Sequence, residues 1–195
     1  MNPDTRKMPK HMRQFGLYVL GQSLENATFA EMGNPYFHAI ATVQAAHAAE
    51  IILKARIAEE HPLLIFSALP KAPTDAGKLL DIEDLLSKGK TVTYFELPDL
   101  LWAATGYRIP ELERYVEFGK LRNMLQHLSR PSNMELGNRT IEYVFTVIEP
   151  MISDFWNDTC INYIGLLGEE THIYLKERMD KLGISYKGTW PSDEA

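Results

Sequence analysis

The sequence predicts an all-α protein, an up-and-down helical bundle with an irregular insertion around residues 61–96. Three observations predict this class. Apolar residues recur at helical spacing along most of the chain, most connections between these segments are short, and Pro35, Pro98 and Pro110 stand where segments begin. A chain of 195 residues that is 45% hydrophobic can bury one core. We therefore expect a single domain over residues 1–195, with a loose arm at 1–9 and a loose tail at 192–195.

The helical segments follow from apolar periodicity and from the residues that begin and end helices. Pro35 suits the start of the second segment, Pro150 is expected to kink the sixth, and Gly183 is expected to cap the last. Residues 130–133 form a break, and residues 91–95 suit a short extended piece. The expected helices are 13–30, 36–60, 82–86, 98–105, 110–128, 138 or 140 to 167, and 169–182.

The composition excludes several classes of protein. Cys160 is the single cysteine, which excludes an internal disulfide framework and a zinc site built from several cysteines. The net charge of −6 argues against a broad electrostatic surface for nucleic acid. It leaves room for a local phosphate site.

Apolar runs are too short for a membrane span of about 20 residues. The best run, residues 39–53, is interrupted by Gln44, His47 and Glu50. The basic residues near the N-terminus are not followed by an apolar segment of signal-peptide quality. They are Arg6, Lys7, Lys10 and Arg13. We expect a cytoplasmic protein without a membrane partner.

The helix at 110–128 has two stripes. The apolar stripe, expected to face the core, is Phe118, Leu121, Leu125 and Leu128. The second stripe begins apolar and ends in an amide and an imidazole: Leu112, Val116, Asn123 and His127. Arg122 lies between the stripes. A helix that is apolar on two sides packs on both, which predicts a homodimer interface. The plainer interpretation is a solvated polar face near a helix end, with His127 close to the helix dipole.

The helix at 36–60 carries a carboxylate where a core residue is expected. Glu50 follows His47 on one line of the helix, and burying it is costly unless it is paired. One partner is Lys54, four residues later; the other is Arg122, reached across the bundle. His47 and Glu50 are three apart and could ligate a metal, but a di-metal bundle uses Glu-x-x-His pairs on two helices plus further carboxylates, and we do not expect such a site here. We expect no metal and no cofactor.

These two helices together resemble the HEPN superfamily of helical domains. The family motif is an arginine, a polar residue and a histidine five positions after the arginine. Here it reads Arg122-Asn123-Met124-Leu125-Gln126-His127, before a break and a proline. Many members carry an acidic or polar residue before a Leu-Lys-Ala run on an upstream helix, which here reads Glu50-Ile51-Ile52-Leu53-Lys54-Ala55. The resemblance covers residues 35–165 and leaves the insertion unmatched.

The resemblance implies a homodimer with two motif copies around one cleft, and a metal-independent endoribonuclease acting as a toxin or in defence against phage. RNA is then the substrate, and a cognate antitoxin or another protein a partner. His127 would transfer protons, since imidazole titrates near neutrality. Arg122 would hold the phosphate, Asn123 would orient His127 or donate to the phosphate, and Glu50 would fix Arg122, with His47 supporting. The alternative is a non-catalytic HEPN-like dimeric interaction module.

Two further groups bear on this choice. Aromatic side chains could form a platform for bases, although their helical spacing favours core positions; they are Trp102, Tyr107, Tyr115 and Phe118. The acidic residues before the motif would repel RNA unless they are turned away. They are Glu111, Glu113 and Glu117.

Overall fold

The computed structural model describes residues 2–29, 34, 36–71, 79–127, 135–164, 169–188 and 190. The prediction of an all-α helical bundle is confirmed. The α-helices are α1 Met8–Thr28, α2 Phe37–Glu60, α3 Ile82–Lys88, α4 Leu97–Thr105, α5 Leu112–His127, α6 Leu136–Tyr143, α7 Glu149–Trp156 and α8 Glu169–Lys181. A π-helix, Val144–Ile148, joins α6 to α7.

The chain divides into two compact units. The first comprises residues 1–15 and 50–108, and the second comprises residues 16–49 and 109–195. Helices α1 and α2 each contribute to both. Among the described residues, no helix is long and apolar enough to cross a lipid bilayer.

The described residues of the expected irregular insertion lie in the first unit and contain more secondary structure than the sequence predicts. Strand β1, Phe66–Ala68, pairs antiparallel with β2, Lys90–Thr91. The extended segment expected at 91–95 is shorter than predicted, because Tyr94–Glu96 forms a 3-10 helix. Glu96 accepts hydrogen bonds from the Thr93 hydroxyl at 2.6 Å and from its backbone N–H at 2.7 Å. This capping box ends the extended conformation.

The second unit contains the long helix expected from residue 138 or 140 to 167, and it ends earlier than expected. Trp156 is its last residue, and Asn157 adopts a left-handed conformation with φ 49°. Asparagine tolerates this conformation better than most residues, so it stops the helix where apolar periodicity alone would continue it. The π-helix lies directly before Pro150, whose missing N–H interrupts the α-helical hydrogen-bond ladder.

The start of the chain is more structured than predicted. The expected loose arm at 1–9 contains a 3-10 helix, Pro3–Lys7, and Thr5 is fully buried. The Asn2 side chain caps this helix by accepting from the N–H of Asp4 at 3.0 Å. Gly183, with φ 68°, follows α8 as expected. Several predictions concern positions outside the described residues: Ala30, Pro35, Leu128, Leu167, residues 130–133 and the tail at 192–195.

Packing in the second unit depends on close backbone contacts and polar links. A Cβ on Gly21 would lie 2.1 Å from the Tyr163 carbonyl oxygen. Arg178 Nη1 donates to the Thr28 carbonyl at 2.6 Å and to the Ala27 carbonyl at 2.8 Å. A side chain of α8 thereby satisfies carbonyls left over at the end of α1.

Candidate functional site

Helix α5 carries the motif and is anchored by aromatic packing. Tyr115 is fully buried and Phe118 is nearly so. The Phe118 ring stacks on the Tyr143 ring of α6, with centroids 3.7 Å apart and planes within 4°. The core interpretation of Tyr115 and Phe118 is therefore confirmed, and neither ring is open to a nucleic-acid base.

On α5, Arg122 follows Tyr115 by seven residues, which returns a helix to nearly the same direction. It therefore lies between the two stripes, as helix geometry predicts, and on the line of the buried Tyr115. The side chain is half-buried. A half-buried guanidinium needs hydrogen-bonding partners. Side chains nearby on the same helix are the first candidates for this role.

Asn123 supplies one of these partners. Arg122 Nη1 donates to the Asn123 Oδ1 at 2.9 Å. Asn123 is half-buried, and His127 stands one turn later as the last residue of α5, with its imidazole exposed to solvent. The structure therefore places an arginine-bound amide next to an accessible imidazole at the end of one helix.

The second stripe of α5 becomes more exposed towards both of its ends. Leu112 is 45% exposed, Val116 and Asn123 are half-buried, and His127 is exposed. This face is therefore accessible in a single chain. The homodimer expected on it stays a prediction.

Glu50 pairs with Lys54, the nearer of its two expected partners. The Lys54 Nζ lies 2.7 Å from the Glu50 Oε1, and the side chains are 9% and 18% exposed respectively. Lys54 also donates to the Thr91 hydroxyl at 3.2 Å, a contact that the sequence does not predict. The pair connects α2 to strand β2 within the first unit, which gives Glu50 a structural role.

His47 is exposed on α2. Among the described residues, no group of three or more histidine, cysteine, aspartate or glutamate side chains is arranged to hold a metal ion. His47 therefore does not belong to a metal-binding group among the described residues.

Arg114 of α5 pairs with two carboxylates that lie outside this helix. Arg114 lies 3.5 Å from Glu111 and 2.6 Å from Glu142 of α6. Glu113 and Glu117 are exposed. The first half of α5 is thus acidic, whereas residues 118–127 contain Lys120, Arg122 and His127 and no carboxylate.

The remaining aromatic candidates lie in the first unit. Trp102 is 50% exposed, and the Arg108 guanidinium carbon stands 5.1 Å from the centre of its ring, close enough for a cation–π interaction. Tyr107 is half-buried. The structure therefore does not gather the four aromatic candidates into one platform, because Tyr115 and Phe118 are in the core.

The structure brings together one group of basic residues that the sequence analysis does not predict to form a site. Arg6, Lys10 and Arg13 line a cavity together with the end of α2. Their spacing of four and three residues was the available signal, because it places side chains on one helical face.

Comparisons with protein-family models, with curated proteins and with solved structures find no match for this chain. The resemblance to the HEPN superfamily therefore rests on the motif residues alone.

Proposed function

We propose that the protein is a metal-independent endoribonuclease whose site is formed by Arg122, Asn123 and His127. The observation that carries the proposal is the Arg122–Asn123 hydrogen bond of 2.9 Å one turn before an exposed imidazole. It supplies a phosphate-binding cation and a proton-transfer group on a solvent-accessible helix end. The motif's resemblance to HEPN ribonucleases supports the same function, with a toxin or defence role and cytoplasmic action as part of the proposal.

The reaction is a transesterification of the RNA backbone. The ribose 2′-oxygen attacks the adjacent phosphorus, and the bond from phosphorus to the 5′-oxygen breaks. A base takes the 2′-hydroxyl proton and an acid gives a proton to the leaving 5′-oxygen, which yields a 2′,3′-cyclic phosphate and a 5′-hydroxyl end. His127 performs one of these transfers, because imidazole gains and loses protons near neutral pH. The second transfer is assigned to His127 of another copy in a homodimer.

Arg122 and Asn123 act on the phosphate. The guanidinium presents a planar set of donors that matches phosphate oxygens and stabilises the charge developing on them. Since the Asn123 Oδ1 already accepts from Arg122, the amide nitrogen is the atom of Asn123 that remains to donate. It can donate to the phosphate, or it can hold the His127 ring one turn away.

The charge distribution along α5 is compatible with an RNA strand at this end of the helix. At a rise of 1.5 Å per residue, Glu117 stands about 15 Å and Glu113 about 21 Å from His127 along the axis. Both separations exceed the screening length of about 8 Å at physiological ionic strength. The repulsion expected from these carboxylates is therefore weak at His127, and the charged residues of α5 between Glu117 and His127 are basic.

A non-catalytic interaction module is the second candidate function. The net charge of −6 favours it, because most nucleic-acid-binding domains present a basic surface. In that case the Arg122–Asn123 bond fixes the shape of a docking surface on α5, and a homodimer or another protein covers His127.

Cleavage of mixed RNA by the purified protein in excess EDTA tests the proposal. The native protein is compared with His127→Ala and with His11→Ala, which removes an exposed histidine of α1. We expect the native protein and His11→Ala to generate fragments ending in cyclic phosphate, and His127→Ala to generate none while it remains folded by circular dichroism.

Equal cleavage by His127→Ala would contradict the assignment and indicate a contaminating nuclease or another site. Absence of cleavage by all three proteins, together with a stable dimer that His127→Ala dissociates, would favour the interaction module.

A further inference from the structure

A cavity of about 590 Å³ opens in the first unit between the start of the chain and the end of α2. One wall consists of residues from the first 3-10 helix and α1, and the opposite wall follows the end of α2. Its lining is Arg6, Pro9, Lys10, Arg13, Ala58, Glu59, Glu60, His61 and Pro62. Its volume falls in the range of small-molecule sites, about 300–1,000 Å³.

The first wall is cationic. Lys10 and Arg13 are three residues apart on α1, so they are neighbours on one helical face, and Arg6 lies in the 3-10 helix that precedes α1. Within the described part of the chain, neither Arg6 nor Lys10 takes part in an ion pair. The acidic residue nearest in sequence, Asp4, pairs with Lys7 at 3.0 Å.

The opposite wall carries two carboxylates that already have a cationic partner. Arg56 Nη1 lies 2.8 Å from the Glu60 Oε1 and 3.7 Å from the Glu59 Oε2. Because Arg56 compensates much of this negative charge, the cations of the first wall give the cavity a positive local potential.

His61 adds a directed hydrogen-bond donor. Its Nδ1 accepts from the backbone N–H of Leu63 at 3.3 Å. When one ring nitrogen of a neutral imidazole accepts, the other carries the proton. The Nε2 of His61 is therefore a donor on a residue that lines the cavity.

We propose that this cavity binds a small anionic ligand with two adjacent phosphoryl groups, held by Arg6, Lys10 and His61. Several cations that line one cavity suit two neighbouring anionic groups better than one. Charge-assisted hydrogen bonds from arginine and lysine to phosphate oxygens are among the strong ones in proteins. The site goes beyond the proposed ribonuclease function and does not depend on it.

A small ligand fits these features better than a nucleic-acid strand. Among the described lining residues there is no aromatic ring besides the His61 imidazole, whereas surfaces for single strands use aromatic side chains to stack bases. The net charge of −6 opposes a long polyanion, while a small anion responds mainly to the local potential.

Isothermal titration calorimetry with inorganic pyrophosphate tests the site. The full-length native protein is compared with the double variant Arg6→Ala/Lys10→Ala, which removes two exposed cations of the cavity. The matched control, Lys88→Ala/Lys90→Ala, removes two exposed cations outside the cavity in the same unit. We expect saturable binding to the native protein, a weakening of roughly tenfold or more in the cavity variant, and no change in the control.

Two results would overturn the proposal: no binding of pyrophosphate to the native protein, or equal weakening in both double variants. In the first case, binding of a single-stranded RNA without terminal phosphates would identify the cavity as part of a nucleic-acid surface. Competition with a nucleoside diphosphate identifies the source of the phosphoryl groups. If the nucleoside diphosphate displaces bound pyrophosphate at a concentration equal to or lower than that of pyrophosphate, the natural ligand is a nucleotide. If a higher concentration is needed, the diphosphate group alone is recognised. The assay measures no RNA cleavage, so its failure and that of the ribonuclease proposal are distinguishable.

Discussion

Arg122 and Asn123 are joined by a side-chain hydrogen bond of 2.9 Å from Nη1 to Oδ1. Neighbours in a helix point about 100° apart, so this bond draws the two side chains towards each other. The guanidinium is half-buried, and Asn123 stands one turn before His127. The arginine and asparagine side chains therefore form one hydrogen-bonded pair beside the end of α5.

The first prediction concerns the shape of the Arg122 cation. Arg122→Lys keeps the charge but loses the planar donors that can contact Asn123 and a phosphate together. We expect the single-turnover rate of RNA cleavage to fall roughly a hundredfold, the loss typical of removing one preorganised donor. Lys120→Arg on the exposed side of α5 is the control. A rate within about threefold of the native value would remove Arg122 from the mechanism.

The second prediction concerns the Glu50–Lys54 pair. Glu50→Gln removes the countercharge of a lysine side chain that is 9% exposed. We expect the free energy of unfolding to fall by about 1–3 kcal/mol, because an uncompensated charge is left mostly buried. Glu60→Gln, which breaks a pair whose carboxylate side chain is 44% exposed, is expected to cost less than about 1 kcal/mol.

Urea denaturation of the two glutamine variants measures both values. Equal destabilisation by Glu50→Gln and Glu60→Gln would show that burial of the Glu50–Lys54 pair adds nothing to its contribution.

The third prediction concerns the contact between Gly21 and Tyr163. Gly21→Ala would place its Cβ 2.1 Å from the Tyr163 carbonyl oxygen, so the backbone must move apart. We expect a loss of about 1–3 kcal/mol in the free energy of unfolding, although alanine favours helix over glycine. Gln14→Ala, on the exposed face of α1, serves as the control. A stabilising Gly21→Ala would show that α1 does not approach Tyr163 this closely.

The fourth prediction concerns the reactivity of Cys160. Its thiol is fully buried. This burial, and to a lesser extent the nearby Glu149 carboxylate, raises the pKa of Cys160 well above its usual value. Since the thiolate is the reactive form, we expect no reaction with Ellman's reagent at pH 8 in the native protein. One equivalent should react in guanidinium chloride. Rapid modification of the native protein would contradict the burial of this thiol.

Much of the fold could be predicted from the sequence, because helices depend on local periodicity and on residues at their ends. Helices α4 and α5 lie close to the expected bounds, and Gly183 follows α8 as expected. The long helix that stops at Trp156 shows the limit of this reasoning. Apolar periodicity continues past that residue, but Asn157 can adopt a left-handed conformation, and only the surrounding structure decides whether it does.

The candidate site divides in the same way. The sequence by itself determined which residues stand one turn apart on α5, since helix geometry places Asn123 next to His127. It also determined the two candidate partners of Glu50. Only the tertiary structure decided that Glu50 pairs with Lys54 against β2, that Arg122 lies on the buried line of α5, and that Arg6 and Lys10 face the end of α2 across a cavity. Local spacing fixes neighbours within a helix, whereas burial and partners depend on segments that are distant in the chain and meet only when it folds.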